Sequence, residues 1–413
     1  MKILVIGKGG REHALALAAS QSKLCDQLYC APGNPGMAKI GKLVNIDDSK
    51  IDELAEFAQN EGIDLTIVGP ENALADGIVD AFESRGLKIF GPTKAAAQVE
   101  ASKDFAKGLM KKYNIPTADY QTFDNFEDAK AFVLEKGAPI VIKENGLKAG
   151  KGVTVATDLD MALEALNIAF EIEGNSVVIE EYLEGFEFSL IALVHGENVY
   201  PLECAQDHKR VGDGDTGPNT GGMGSYSPVR AITQDLVDTA MESIMKPMAK
   251  ALCEEGCPFT GFLYGGLMVT KRGIEVIEFN CRFGDPEAEV ILCRLTSDFV
   301  QNILDVMEDK TPELTWTSKT SHGVVLASTG YPASSTKNAP ITGVEDVDGL
   351  VYHMGTKMED DTLLTNGGRV LMVVSLADQL EEAMAHTYAE VEKVKCDKLF
   401  YRHDIGRKDL KNA

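Results

Sequence analysis

The first hundred residues leave little freedom in what they can build. The apolar run "KILVIG" is followed by "REHALALAAS" at helical spacing. The runs "LYCAPG", "DLTIVGPE" and "LKIFGPT" repeat the strand-then-turn unit, each closed by glycine and proline. A strand that is apolar without alternation is buried on both faces, as in a parallel sheet covered by helices. Such strands alternating with helices predict a doubly wound α/β domain over residues 1–100.

The style changes after that. "SKDFAKGLMKKYNIP" reads as a helix stopped before Pro116, "APIVIK" (138–143) as a strand, "GLKAGKG" as a loop and "VTVAT" as the next strand. A helix over 158–172 leads to the strand "SVVIEEYL", and "EFSLIALV" with "VYPLECAQ" reads as a hairpin. Residues 207–224 read as a long loop with six glycines. A helix near 233–255 precedes a hairpin, "YGGLMVTKRGIEVIEFN", and the last hundred residues hold three strands and a helix at 377–395. Neither repeats nor low-complexity tracts interrupt this order.

Charge and cysteine usage exclude several classes. A net charge of −24 speaks against nucleic acid and anionic membranes, both of which attract basic surfaces. It leaves room for a local basic pocket and a phosphorylated small molecule. The eight cysteines are scattered, and the closest pair, Cys253 and Cys257, has no histidine nearby in sequence. Reduced thiols in the cytoplasm are expected rather than a zinc site. No apolar run approaches the roughly 20 residues of a membrane span, and that of the N-terminus is too short for a signal peptide.

Two glycine-rich loops could cradle phosphate. Gly7-Lys8-Gly9-Gly10 lies between a strand and a helix, where helix N–H groups favour an anion. The dinucleotide fingerprint fails there, because its third glycine is Glu12 and strand two ends without an acid. A single phosphate, with Gly9, Gly10 and Arg11 beside it and Asn34 of "APGNPG" reaching a ribose, stays open, as does a tight turn that only packs the helix. The second loop, Gly146–Gly152, misses the Walker A spacing and its Ser or Thr, and a strand rather than a helix follows. It reads as a flap whose Lys148 and Lys151 close over a polyphosphate, or as an ordinary mobile hairpin. Lys143, ending an apolar strand three residues earlier, is either a snorkelling edge residue or a phosphate-binding charge.

Two acidic stretches complete the pattern. Glu180, Glu181, Glu184 and Glu187 fall within eight residues at a strand end, as a solvated face or as a purine and ribose site. In "EVIEFNCRFGDPE", strand alternation puts Ile277 and Phe279 on one face and Val276, Glu278 and Asn280 on the other. Glu278 and Asn280 would then offer oxygen ligands to a hard cation such as magnesium, with Arg282 balancing charge on a transferred phosphoryl group, or would form only a polar edge.

Together these residues resemble the ATP-grasp superfamily. The motifs "VIGKGGREHALA", "APGNPG", "LTIVGPE", "LKIFGPT", "QDHKRVGDGDTGPNTGGMGSYSP", "EFNCRFGDPE" and "NGGRVL" are similar to those of the phosphoribosylamine–glycine ligase family, the glycinamide ribonucleotide synthetases of purine biosynthesis. The resemblance implies an N-terminal doubly wound domain (1–100), a central ATP-grasp fold (101–312, with 113–185 a mobile subdomain) and a small, mostly β C-terminal α+β domain (313–413). It implies an ATP-dependent ligase acting through glycyl phosphate, with Mg2+ (or Mn2+), and a monomer. Lys103 and Lys143 would hold ATP phosphates, with Gly150, Lys151 and Gly152 in the flap. Glu180, Glu181 and the Leu183 backbone would surround adenine, Glu187 the ribose, and Glu278 and Asn280 the metal. Asp207, Lys209, Asp213 and Arg282 would face the reacting groups, with Gly36, Gly284, Asp285, Gly368 and Arg369 in the substrate set. The chain departs from the family pattern at Glu144, Asn145 and Lys148 of the flap, in a short segment before the hinge, and at Glu289, where glutamine is expected. Two rivals remain at this level: another ATP-grasp ligase, and a non-catalytic or dinucleotide-binding protein.

Overall fold

In the computed structural model, which describes residues 1–148 and 152–412, β1 (Lys2–Gly7) is the centre of a five-stranded parallel sheet. Its neighbours are β2 (Gln27–Pro32) and β4 (Leu65–Val68), with β3 (Lys42–Leu43) and β5 (Ile89–Phe90) at the edges. Leu4 and Ile6 enter one apolar core, and Ile3 and Val5 enter another on the opposite face. Burial on both sides explains the unalternated sequence, and each of these four side chains contributes about 2 kcal/mol of apolar transfer. The order β3-β2-β1-β4-β5 reverses between β1 and β4. That reversal opens a crevice at their C-terminal ends, the usual ligand position of such sheets. The turn into helix α1 (Gly10–Ser20) and the turn Gly69-Pro70-Glu71 both leave from this crevice.

The middle of the chain forms two four-stranded antiparallel sheets. The first orders Tyr120–Phe123, Val177–Glu181, Ile140–Glu144 and Val153–Ala156. Helices Phe126–Lys136 and Leu159–Phe170 cover it, capped by the Asn125 and Asp158 side chains, and share a small separate core with it. The second orders Asn198–Pro201, Phe186–His195, Thr260–Thr270 and Gly273–Asn280. The two sheets face each other across a cleft, the arrangement of an ATP-grasp fold.

The strand Gly273–Asn280 corrects one expectation. Gly266 pairs with Glu278 but Leu267 pairs with Val276, so Ile277 is an extra residue in a β-bulge. The bulge breaks the alternation. Val276 and Phe279 therefore share the core, while Ile277 turns with Glu278 and Asn280 to the cleft.

The C-terminal sheet draws on the glycine-rich segment. It orders Gln206–Asp207, Gly224–Ser227, Thr320–Ser328, Arg369–Ala377 and Leu350–His353, with Leu399–Phe400 also on Thr320–Ser328. The region expected as one loop thus has a strand at each end and a small hairpin, Arg210–Gly212 with Thr216–Asn219, between them. No helix among the described residues is long and apolar enough to cross a membrane.

Candidate active site

A cavity of about 650 Å³ lies between the two central sheets and reaches the crevice of the N-terminal sheet. At one end, Ser102 caps the helix Lys103–Lys112, and Lys103 and Lys107 project from it one turn apart. The Lys103 ammonium donates to the Gly146 carbonyl at 2.8 Å. The Lys143 ammonium donates to the Ile277 carbonyl at 2.7 Å, so the bulge supplies its acceptor. Lys143 also lies 2.9 Å from Glu180 Oε1, while Lys107 lies 3.1 Å from Glu180 Oε2. Leu183 lines the space beside them, and Glu187 further along is paired with Lys209. Glu181 borders the cavity, but its carboxylate turns outward to Arg272.

Glu278 and Asn280 stand on the cavity floor. Burial opposes the charge of Glu278, but Lys209 (3.6 Å), Lys143, Lys103 and Arg282 outweigh it and hold the carboxyl below its usual range. The Asn280 side chain makes no hydrogen bond among the described residues. An ionised carboxylate and an uncommitted amide oxygen on one floor suit a hard cation. Deeper in, Asp207 behaves differently. Burial pushes its carboxyl well up against the pull of Lys209, with Glu287, Glu187 and Glu278 adding to the rise.

The N-terminal crevice supplies a cluster of ion pairs. Arg282 binds Glu100 at 2.9 Å and Glu71 at 3.4 Å, and Arg11 reaches the same Glu71 oxygen at 3.4 Å. Arg11 also donates to Glu12 at 2.6 Å and to the Phe283 carbonyl at 3.3 Å. Burial works against Glu71's charge, but Arg282 and Arg11 bring its carboxyl down to about 2. On the C-terminal side, Arg369 binds Asp285 at 2.9 Å and the Gly221 carbonyl at 2.7 Å. Arg11, Arg282, Asp285 and Arg369 all line the cavity, with Gly152 and Lys148 at the flap. Lys148 itself is held by Glu144 at 2.8 Å.

Other expected residues stand elsewhere. Asp213 is absent from the cavity lining and holds His403 at 3.0 Å at the tip of the hairpin. Asn34 is committed to structure: its amide donates to the carbonyls of Lys8 and His353, both at 2.9 Å, and its oxygen accepts from Gly36 and Met37 N–H at 3.0 Å. A side chain with both amide hydrogens and both lone pairs engaged has none left for a ribose. Gly36 makes room for His13 and His353, Gly368 for Tyr331 and Gly284 for Glu287. At the start of α1, Glu12 Oε2 accepts the Gly9 N–H at 2.6 Å, and Glu289 lies against Gly10. Neither glycine lines the cavity. Gly150 and Lys151 lie outside the described residues.

Sequence reasoning missed Lys107, Glu71, Glu100 and Glu287. The last accepts from Ser189 at 2.7 Å and from Tyr264 at 3.1 Å on the cavity wall. One usable signal was present: Lys103 and Lys107 are four residues apart in an otherwise apolar helix face, which puts both into one space.

Comparison with known proteins decides the family. Residues 1–100 match the N domain of phosphoribosylglycinamide synthetase, residues 101–288 its ATP-grasp (A) domain and residues 321–408 its C domain. The chain belongs to the phosphoribosylglycinamide synthetase family. It is similar to the phosphoribosylamine–glycine ligase of Streptococcus pneumoniae serotype 4, 50% identical over 420 residues and covering 100% of both chains. That of Halalkalibacterium halodurans is 52% identical over 417 residues, covering 99% of this chain and 97% of the relative. Among phosphoribosylglycinamide synthetases of solved structure, the Thermotoga maritima phosphoribosylamine–glycine ligase superposes with a TM-score of 0.86 at 33% identity, covering 98% of this chain and 100% of that one. The biotin carboxylase domain of Hydrogenobacter thermophilus, crystallised with MgADP, has a TM-score of 0.72 at 16% identity over 97% of this chain and 91% of that one, a likeness of fold alone. Like the rest of its family, the chain is an ATP-grasp ligase.

Proposed function

We infer that this chain joins glycine to 5-phosphoribosylamine at the expense of ATP, giving glycinamide ribonucleotide, ADP and phosphate, as a step of purine biosynthesis. One observation carries the reading: a single cavity brings Lys103, Lys143, Glu278 and Asn280 of the clasped sheets together with Arg11 and Glu71 of the N-terminal crevice. A polyphosphate and a second anionic substrate can therefore share one cavity.

ATP is assigned to the end lined by Lys103, Lys143, Glu180, Leu183 and Glu187, with the lysines on its phosphates. Glu278 and Asn280 would hold magnesium, or manganese in its place, and a cation there supplies charge neutralisation for the polyphosphate. A glycine carboxylate oxygen attacks the γ-phosphorus, the bond to the β-phosphate oxygen breaks, and glycyl phosphate and ADP form. Arg282 is assigned to the charge that builds on the moving phosphoryl group. The amine of phosphoribosylamine then attacks the acyl carbon, and phosphate leaves with one oxygen that came from glycine. The amine must lose a proton as the amide forms. We assign that proton to Asp207, a cavity-wall carboxyl that burial pushes up against the pull of Lys209. The phosphoribosyl group is assigned to the crevice end, between Arg11 and Arg369 and beside the first turn of α1.

All eight cysteines are free of disulfides, which fits a reducing cytoplasm. We take the enzyme to act as a monomer, as the family resemblance implies. The test is ADP release with each substrate omitted in turn. Release that needs glycine and phosphoribosylamine together supports the assignment, and release stimulated by another carboxylate–amine pair instead refutes it.

A further inference from the structure

Lys107 has no task in the reaction outlined above, yet it is among the most enclosed cations of the cavity wall, 3% exposed. Its ammonium sits on Glu180 Oε2 and donates to Thr117 Oγ1 at 2.7 Å. Thr117 Oγ1 donates in turn to the Val276 carbonyl at 2.7 Å, and Thr117 and Val276 form a β-bridge two residues before Glu278. The other oxygen of Glu180 carries Lys143. One buried carboxylate thus holds two buried ammonium groups, and the trio has one positive charge in excess.

That excess matters when a polyphosphate arrives. If Glu180 had Lys143 as its sole partner, moving Lys143 to the phosphates would strand a buried carboxylate, which is strongly unfavourable. With Lys107 in place, Glu180 stays paired throughout. We propose that Lys107 is a positioning residue: it retains the charge of Glu180 on the Thr117–Val276 bridge, so that Lys143 can leave for the nucleotide phosphates. The proposal rests on the assignment of ATP to this end of the cavity.

The charge of Lys107 is also adjustable. Burial pulls its ammonium down to about 8, against the attraction of Glu180 and with Lys143 adding to the fall. Glu181 and the Tyr120 ring, 5.5 Å away, are the other groups facing it. Below that pH Lys107 is charged and Lys143 can be released. Above it Lys107 is neutral and Glu180 keeps Lys143. A single titration near 8 that must be protonated for binding weakens ATP about tenfold between pH 7 and pH 9.

The experiment is calorimetric titration of ATP with magnesium, and separately of glycinamide ribonucleotide, into the full-length wild type, Lys107→Met, Lys107→Arg and Lys143→Met at pH 7 and pH 9. Lys107→Met keeps Glu180 paired with Lys143, so its fold should hold, and circular dichroism checks this. Expected for Lys107→Met is ATP affinity roughly tenfold or more below wild type at pH 7, flat to pH 9, with ribonucleotide affinity unchanged. Lys107→Arg, charged throughout, should bind ATP within about threefold of wild type at pH 7 and lose little at pH 9. Wild-type ATP affinity in Lys107→Met, or an Arg variant as weak as the Met variant, overturns the proposal. If Lys143→Met binds ATP as wild type does, the assignment of ATP to this end fails instead; if it loses ATP while Lys107→Met does not, only the role of Lys107 fails.

Discussion

Replacing Arg282 by methionine separates what this residue does for the fold from what it does for the reaction. Arg282 is the main partner of Glu100, whose side chain is 7% exposed and whose other oxygen accepts the Cys281 N–H at 2.8 Å. Burial already raises the Glu100 carboxyl against the pull of Arg282. Removing the arginine leaves a buried carboxylate with one backbone hydrogen bond, a loss of about 3–5 kcal/mol. For a chain of this size that corresponds to a fall in melting temperature of roughly 3–6 °C. Glu100→Gln in the same background keeps the shape and removes the charge, so the double variant should regain most of the loss. The sign with pH is determined. In Arg282→Met the folded-state pKa of Glu100 lies above its unfolded value, so the defect is largest above the folded pKa and shrinks as pH falls toward the unfolded one. Melting curves of the wild type, both single variants and the double variant at pH 8 and pH 5.5 test this. On the assignment of Arg282 to the transferred phosphoryl group, turnover should stay low in the double variant. Equal melting temperatures for the single Arg282 variant and the double variant would refute the reasoning, and so would restored turnover in the double variant.

Three further outcomes follow from the site. Glu278→Ala should cut turnover by roughly 100-fold or more and raise the magnesium requirement, with melting little changed because Val276 and Phe279 hold the core face. Unchanged activity at low magnesium would reduce Glu278 and Asn280 to a polar edge. Trypsin should cut the free protein at Lys148, and ATP with magnesium should slow the cut; equal rates would remove this loop from the nucleotide site. ADP and phosphate should appear in equal amounts, whereas stoichiometric AMP and pyrophosphate would mean an acyl-adenylate route.

Much of this architecture was legible in the chain because each signal was local. "KILVIG" announces burial on both faces, and Ile3, Leu4, Val5 and Ile6 do divide between two cores. Lys143 at a strand end, and Glu278 with Asn280, meet in one cavity as their chemistry suggested. What failed to show depends on partners far along the chain. Asn34 reads the same whether it binds a ribose or locks a loop to His353, 319 residues away. Glu71 and Glu100 look like ordinary helix acids until Arg282 arrives between them. The bulge at Ile277 has no local signal either, since an isoleucine fits regular and bulged strand alike. It reversed the expected face of Val276, and it supplies the carbonyl that Lys143 uses. In the glycine-rich segment, the strand Gly224–Ser227 was hidden because its partner, Thr320–Ser328, lies more than ninety residues downstream.

The most direct measurement uses glycine labelled with oxygen-18 in its carboxylate. Attack of that carboxylate on the γ-phosphorus, followed by displacement by the amine of phosphoribosylamine, transfers one labelled oxygen per turnover to inorganic phosphate. Mass spectrometry of the phosphate should therefore show a single oxygen-18 from glycine, with none in the ADP. Phosphate without label, or label in AMP, would contradict the reaction assigned to this cavity.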